Sequence, residues 1–252
     1  MRKGAILLLS LLVTLLAAPM LAQGPSGPVV RVATWKVRTG MAQQFEAGVK
    51  KHNQFHRLKN DPGRLETWQI SSGQNTGQYI RVVALPSWTA YDTPTIDEAA
   101  DEVDSAANVT AYLESESVQW WQMLPAVSHG PMDAPTSAMD EILFFHLNMG
   151  HNQHFMHLIT KVTEAAKKNN WSVNYYWYVL ANGGEHPTYA LVVPKKNMAA
   201  FEDPEMTFIA LLQKTFSPAE MQLILKGFDE AIHCERSEII SFREDLSYIP
   251  GK

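Results

Sequence analysis

Cysteine is nearly absent: Cys234 is the only one in 252 residues. An internal disulfide is therefore excluded, and stability has to come from an ordinary hydrophobic core. His233 beside Cys234 resembles a fragment of a zinc centre, but no second Cys pair completes it. Also missing are a glycine-rich nucleotide loop, a nucleophile elbow and a metalloprotease His-Glu-x-x-His helix. Hydrolase and nucleotide-enzyme chemistry is poorly supported as a result.

Long apolar runs are scarce too. Ala5 to Ala18 is one, set between Arg2-Lys3 and Pro19-Met20-Leu21-Ala22. That is the layout of a signal peptide cleaved after Ala22. The run is short for a spanning helix, and no charged stop-transfer flank follows it. No cysteine lies near the cleavage point, which excludes a lipid anchor there. Residues 1–22 are expected to be removed and the remainder to be periplasmic or secreted. Without Arg2 and Lys3, 19 basic residues face 26 acidic ones, a net charge of −7. Basic charge is too sparse for nucleic acid or, after signal cleavage, an anionic membrane to be a partner.

What is present is a repeat. A shift of 110 residues superposes the halves without a gap from Val32 to Pro94. Gly40 then meets Gly150, Phe45 meets Phe155, Asn60 meets Asn170, Tyr79 meets Tyr189 and Pro94 meets Pro204. Each unit opens with a β-branched and aromatic strand, "VVRVATWKV" or "EILFFHLNM". A glycine turn leads into a helix predicted over Met41–Lys59 and His151–Asn169. Two further strands follow: Leu65–Ser71 and Tyr79–Leu85 in one half, Val173–Leu180 and Tyr189–Val193 in the other. Thr93-Pro94 and Asp203-Pro204 read as helix starts, an N-cap before a first-turn proline. Ser217-Pro218 with Glu220 predicts a capping box. Fourth strands are expected near Ser117–Leu124 and Ser237–Arg243.

The order β-α-β-β-α-β is the ferredoxin-like unit. The predicted class is α+β: two ferredoxin-like repeats, residues 29–127 and 141–248, joined by a linker over 128–140. A sheet with helices on one face needs a cover on the other. The antiparallel sheets are therefore expected to pack together as a pseudo-dimeric α/β barrel within one chain.

"VATWKVRTGMAQQFEAGV" and "YIRVVALPSWTAYD" carry a resemblance to the dimeric α/β barrel superfamily. It includes antibiotic-biosynthesis-monooxygenase-like, NIPSNAP-like and stress-responsive barrel proteins, and haem proteins of the chlorite-dismutase type. The resemblance covers most of both halves and describes a scaffold. It implies small-molecule binding between helices and sheet, with oxygenase or isomerase activity in some members, and carries no catalytic signature.

Both halves contain His-Asn-Gln, at 52–54 and 151–153, but the shift pairs His52 with Val162 and His56 with Ala166. The runs are not one duplicated site. His52 and His56, four apart, lie on the sheet-facing stripe of their helix. The residues between them are Asn53, Gln54 and Phe55, without the Glu of the zinc-binding helical pair, so no metal is assigned. The plainer reading makes them hydrogen-bonded core-edge residues; a sharper one places them in a ligand pocket between that helix and its sheet; a third makes them metal or haem ligands, completed by a residue from a strand or the other helix. Trp35 or Trp68 would form its wall, according to which strand face meets the helix. His146 shares a strand face with Ile142 and Phe144, so it either points into the barrel or ends the strand in solvent. "NYYWYVL" puts Tyr176 and Tyr178 on one face, as candidate pocket aromatics, and Tyr175 and Trp177 on the other. The acidic stretch from Thr95 to Ser117 reads as a solvated helix face.

The expected function is an exported protein binding a small, partly apolar or aromatic molecule, with no catalysis assigned. The alternative is a monooxygenase-like or haem-dependent oxidoreductase on the same scaffold, and a third reading is a non-catalytic interaction module. The sequence specifies neither a cofactor nor an oligomeric state.

Overall fold

The computed structural model describes residues 27–251; the expected signal segment lies outside them. Strand β1 (Val29–Val37) turns at Gly40 into helix α1 (Ala42–Leu58). Strands β2 (Glu66–Ser72) and β3 (Tyr79–Leu85), helix α2 (Glu98–Asn108) and strand β4 (Leu113–Met123) complete the first half. The second half repeats this order with β5 (Met139–Leu147), α3 (Asn152–Lys168), β6 (Tyr176–Asn182), β7 (Thr188–Lys195) and α4 (Phe208–Thr215). An added helix, α5 (Pro218–Ala231), precedes β8 (Ile232–Phe242).

The 110-residue register survives in the backbone. Gly40 and Gly150 turn with φ of +80° and +87°, a conformation that costs glycine little. Asn60 and Asn170, at φ 52° and 49°, end α1 and α3 in the left-handed region that Asn tolerates. The helix starts expected at Thr93-Pro94 and Asp203-Pro204 lie further on. Asp97 and Thr207 are the N-caps, accepting from the amides of Ala100 and Ala210. In the first half the intervening Thr95 hydroxyl donates to Asp61 instead. Ser217 and Glu220 form the expected capping box of α5.

All eight strands pair antiparallel in one closed barrel, ordered β1-β3-β2-β8-β5-β7-β6-β4. The two four-stranded sheets meet edge to edge. At one seam Trp68 faces Phe242 and Ile70 faces Ile240; at the other Trp121 faces Leu180. Among the described residues, closure leaves no edge of this sheet unpaired. Alternation then sends Val32, Trp68, Val82, Trp121, Ile142 and Phe144 inward and Trp35, Phe45's partner, outward against the helices.

Outside the barrel, each half has its own core. Trp35, Phe45, Val49, Tyr79 and Leu246 pack in the first; Phe155, Ile159, Trp177, Tyr189 and Leu211 pack in the second. The halves also exchange tails. Leu246, beyond β8, sits in the first core, and Asn53 and Thr67 donate to its carbonyl at 2.8 and 2.9 Å. Val127, beyond β4, sits in the second core, where Thr163 donates to its carbonyl at 2.7 Å.

Candidate functional site

Strand alternation builds a cavity of about 530 Å³ inside the barrel. Its middle is apolar, walled by Val32, Trp68, Ile80, Trp121, Ile142 and Phe144. Its two ends are polar and differ in access.

At the closed end stand Asp140, Glu66 and Tyr178. The segment between the halves covers them. Thr136 donates to Glu66 Oε1 at 2.8 Å, the Ser137 hydroxyl donates to Asp140, and the Tyr176 hydroxyl donates to the Pro131 carbonyl at 2.8 Å. Arg64 Nε pairs with Glu66 at 2.7 Å. Burial raises Asp140 to about 6, partly opposed by its Ser137 bond. Burial, then the charge of Asp140, also raises the Tyr178 phenol.

The open end is ringed by His146, Arg236, Glu238 and Asn75, with exposed Glu185 and Gln74 outside them. Thr188 donates its hydroxyl proton to the Glu185 carbonyl at 2.5 Å, so at His146 Nδ1, 2.9 Å away, it can only accept. His146 therefore carries its proton on Nδ1 and offers Nε2 as an acceptor. Burial, then the Arg236 charge, lowers its pKa and keeps the ring neutral near pH 7. Asn75 donates to Glu238 at 2.7 Å, while burial raises that carboxyl. The arrangement suits a molecule that is apolar along its length and polar at its ends.

A second cluster lies on the other side of the sheet, between α1 and α2. His52 and His56 are both buried, their Nε2 atoms 3.2 Å apart. Asp101 of α2 brings Oδ1 to 3.2 Å from His56 Nε2 and 3.6 Å from His52 Nε2. Behind the rings, His52 Nδ1 meets Asp104 at 2.9 Å and His56 Nδ1 meets Asp61 at 2.7 Å. Burial pushes Asp61 up, but Thr95, the Gly63 amide and His56 together hold it below its ordinary value. Burial lowers the His52 pKa against the opposing Asp104 bond.

The residues singled out in the sequence thus divide between two places. Trp68, His146 and Tyr178 line the cavity. Tyr176 shares their strand face but turns its hydroxyl to the linker. His52, His56 and Trp35 lie outside the barrel, Trp35 edge-on to Phe45. The acidic stretch is not wholly a solvated face, because Asp101 and Asp104 turn toward α1. Asp140, Glu238 and Arg236 escaped the sequence reading. The signal for Asp140 was the alternation Asp140-Ile142-Phe144-His146, hidden because strand β5 begins two residues before Glu141.

No protein-family model matches the sequence, and no curated protein matches it. Solved structures do match in fold. A candidate monooxygenase from Lactobacillus acidophilus NCFM aligns with TM-score 0.55 at 10% identity, over 89% of this chain and 97% of its own. An anthrone oxidase-like protein aligns at 0.51 and 8%, over 90% and 94%. A mutant chlorite dismutase from Candidatus Nitrospira defluvii aligns at 0.51 and 10%, over 86% and 92%. At these identities the likeness is one of fold alone: the chain has a dimeric α/β barrel architecture, with both sheets of the closed barrel supplied by one chain.

Proposed function

We propose that this dimeric α/β barrel is an exported protein that binds a small, partly apolar or aromatic molecule inside the barrel. The cavity carries the reading: about 530 Å³, apolar along its walls, closed by the linker and polar at both ends. Ligand sites have this size and this mixture of apolar lining with a few placed polar groups. Neutral His146 offers an acceptor and Arg236 a positive charge at the mouth. Trp68 and Trp121 supply flat apolar contact.

The fold likeness to a candidate monooxygenase and a chlorite dismutase favours a second reading, an oxidoreductase on the same scaffold. Its haem-dependent form fits the cavity poorly. Haem brings two carboxylates and an axial ligand requirement. The cavity lining offers His146 and one guanidinium, Arg236, against Glu66, Asp140, Glu185 and Glu238. A non-catalytic interaction module, the third reading, would leave the cavity without a role.

Two measurements test this. An absorption spectrum of protein recovered from its native compartment should show no Soret band; such a band would replace our reading with the haem one. Titration with anilinonaphthalene sulfonate, an aromatic anion, should quench Trp68 and Trp121 emission saturably. Ala190→Trp, which fills the cavity from the wall, should abolish that response while leaving the circular dichroism spectrum unchanged. Probe binding that survives this substitution would place the ligand elsewhere.

A further inference from the structure

We propose that His52, His56 and Asp101 bind a divalent transition-metal ion between α1 and α2, outside the barrel and apart from the cavity. The donor atoms already sit at coordination spacing. His52 Nε2, His56 Nε2 and Asp101 Oδ1 form a triangle with edges of 3.2, 3.2 and 3.6 Å. Ligands about 2.0–2.1 Å from a tetrahedral zinc are separated by about 3.3 Å. The triangle leaves a fourth vertex, and Asp101, 35% exposed against 9% for His52 and 4% for His56, marks the route to solvent.

Hydrogen bonding explains why a cation is needed there. Each Nδ1–H is directed at a carboxylate, Asp104 for His52 and Asp61 for His56. In neutral rings both Nε2 atoms are then lone pairs, and they face one another. Asp101 Oδ1, buried and without a hydrogen-bond partner, adds a third acceptor to the same point. Three acceptors converging on one point repel unless a positive species lies among them. Carboxylates behind metal-binding imidazoles are the usual means of fixing ring orientation and tautomer. Asp61 is itself fixed, by Thr95 at 2.7 Å and the Gly63 amide at 2.8 Å.

Charge is consistent with this. Three carboxylates, Asp61, Asp101 and Asp104, lie against the two imidazoles, and the buried Arg81 guanidinium, which lies over the Trp35 ring and donates to Asn53, acts on Asp101. Two imidazoles with one carboxylate suit zinc or a neighbouring transition ion rather than calcium or magnesium.

The second half serves as an internal control. At the same register it carries Val162, Ala166 and Leu211, all buried in apolar clusters. A packed core therefore forms at this place with no polar group, and the first half departs from it at three positions that meet at one point.

The test uses the full mature chain, stripped with a chelator and titrated with Zn²⁺ and with Co²⁺. One equivalent should bind, Co²⁺ should develop visible ligand-field bands, and the melting temperature should rise by several degrees. Asp101→Asn, which preserves shape, should weaken affinity at least tenfold. The triple variant His52→Val, His56→Ala, Asp101→Leu copies the second half's core, so it should fold and take up no metal. The proposal is overturned if the stripped protein takes up neither ion, or if the triple variant binds as the parent does. It is equally overturned if ¹⁵N NMR shows one proton held between the rings and Zn²⁺ leaves that signal unchanged.

Discussion

Arg243, just beyond β8, places Nη1 2.8 Å from Oε1 of Glu46 on α1, tying the last strand of one half to the first helix of the other. The same Glu46 oxygen accepts from the Tyr79 hydroxyl at 2.7 Å, and Asp245 holds the rest of the guanidinium. The Arg243 bond is the main reason Glu46 lies below its ordinary value. A carboxyl lowered in the folded state contributes stability above its unfolded pKa and loses it as pH falls through the folded one. Arg243→Met should therefore cost about 1–3 kcal/mol at pH 7, and the difference from the parent should shrink at pH 3.5. Urea unfolding at both pH values reads this; equal losses would mean the ion pair is not the source.

Asp140 has the opposite sign. Burial raises it from an ordinary 3.8 to about 6, so the folded state favours the protonated form. The stability this provides is complete below the unfolded pKa and disappears as pH rises through about 6. Asp140→Asn should raise the melting temperature at pH 8 and change it little at pH 4. A variant less stable than the parent at pH 8 would show that the ionised carboxylate is compensated by contacts beyond Ser137.

Gly48 packs directly against α2: a Cβ built there would lie 1.7 Å from the Asn108 carbonyl oxygen. At the same register the second half carries Leu158, which packs beneath α5. Gly48→Ala should separate α1 from α2 and destabilise the chain by about 1–3 kcal/mol. Thermal unfolding measures the loss. A crystal structure of the variant with α2 undisplaced would contradict the steric account.

Arg236 is the one guanidinium on the cavity wall. Arg236→Gln should weaken the anionic naphthalene probe about tenfold, the scale of one charge-assisted hydrogen bond, and leave an uncharged analogue unaffected. Equal losses for both probes would indicate a change in cavity shape instead of a lost charge.

The proposed export makes a covalent prediction. Intact-mass measurement of protein recovered from outside the cytoplasm should give a chain beginning at Gln23, the product expected of cleavage after Ala22. A full-length mass there would contradict cleavage.

Local periodicity carried the element order. The pairs Gly40 with Gly150 and Asn60 with Asn170 recur because each needs a positive φ that few residue types tolerate. Strand alternation placed Tyr176 and Tyr178 opposite Tyr175 and Trp177, and the structure keeps that division. These features depend on neighbours a few residues away, so the sequence by itself determined them, together with the fold class. The seams β2–β8 and β4–β6 depend on edges far apart in the chain, as does the exchange of tails at Val127 and Leu246. No local pattern encodes which distant edge satisfies which. The same holds for the two candidate sites. Whether Trp35 or Trp68 faced the helix was decided only when the barrel closed and gave the sheet an inside. Asp101 meets His52 and His56 only because α2 docks on α1, turning one side of an acidic helix from solvent toward two imidazoles. Tertiary packing alone decided that, since helical spacing sets the angle between side chains on one helix and says nothing of which helix they will meet.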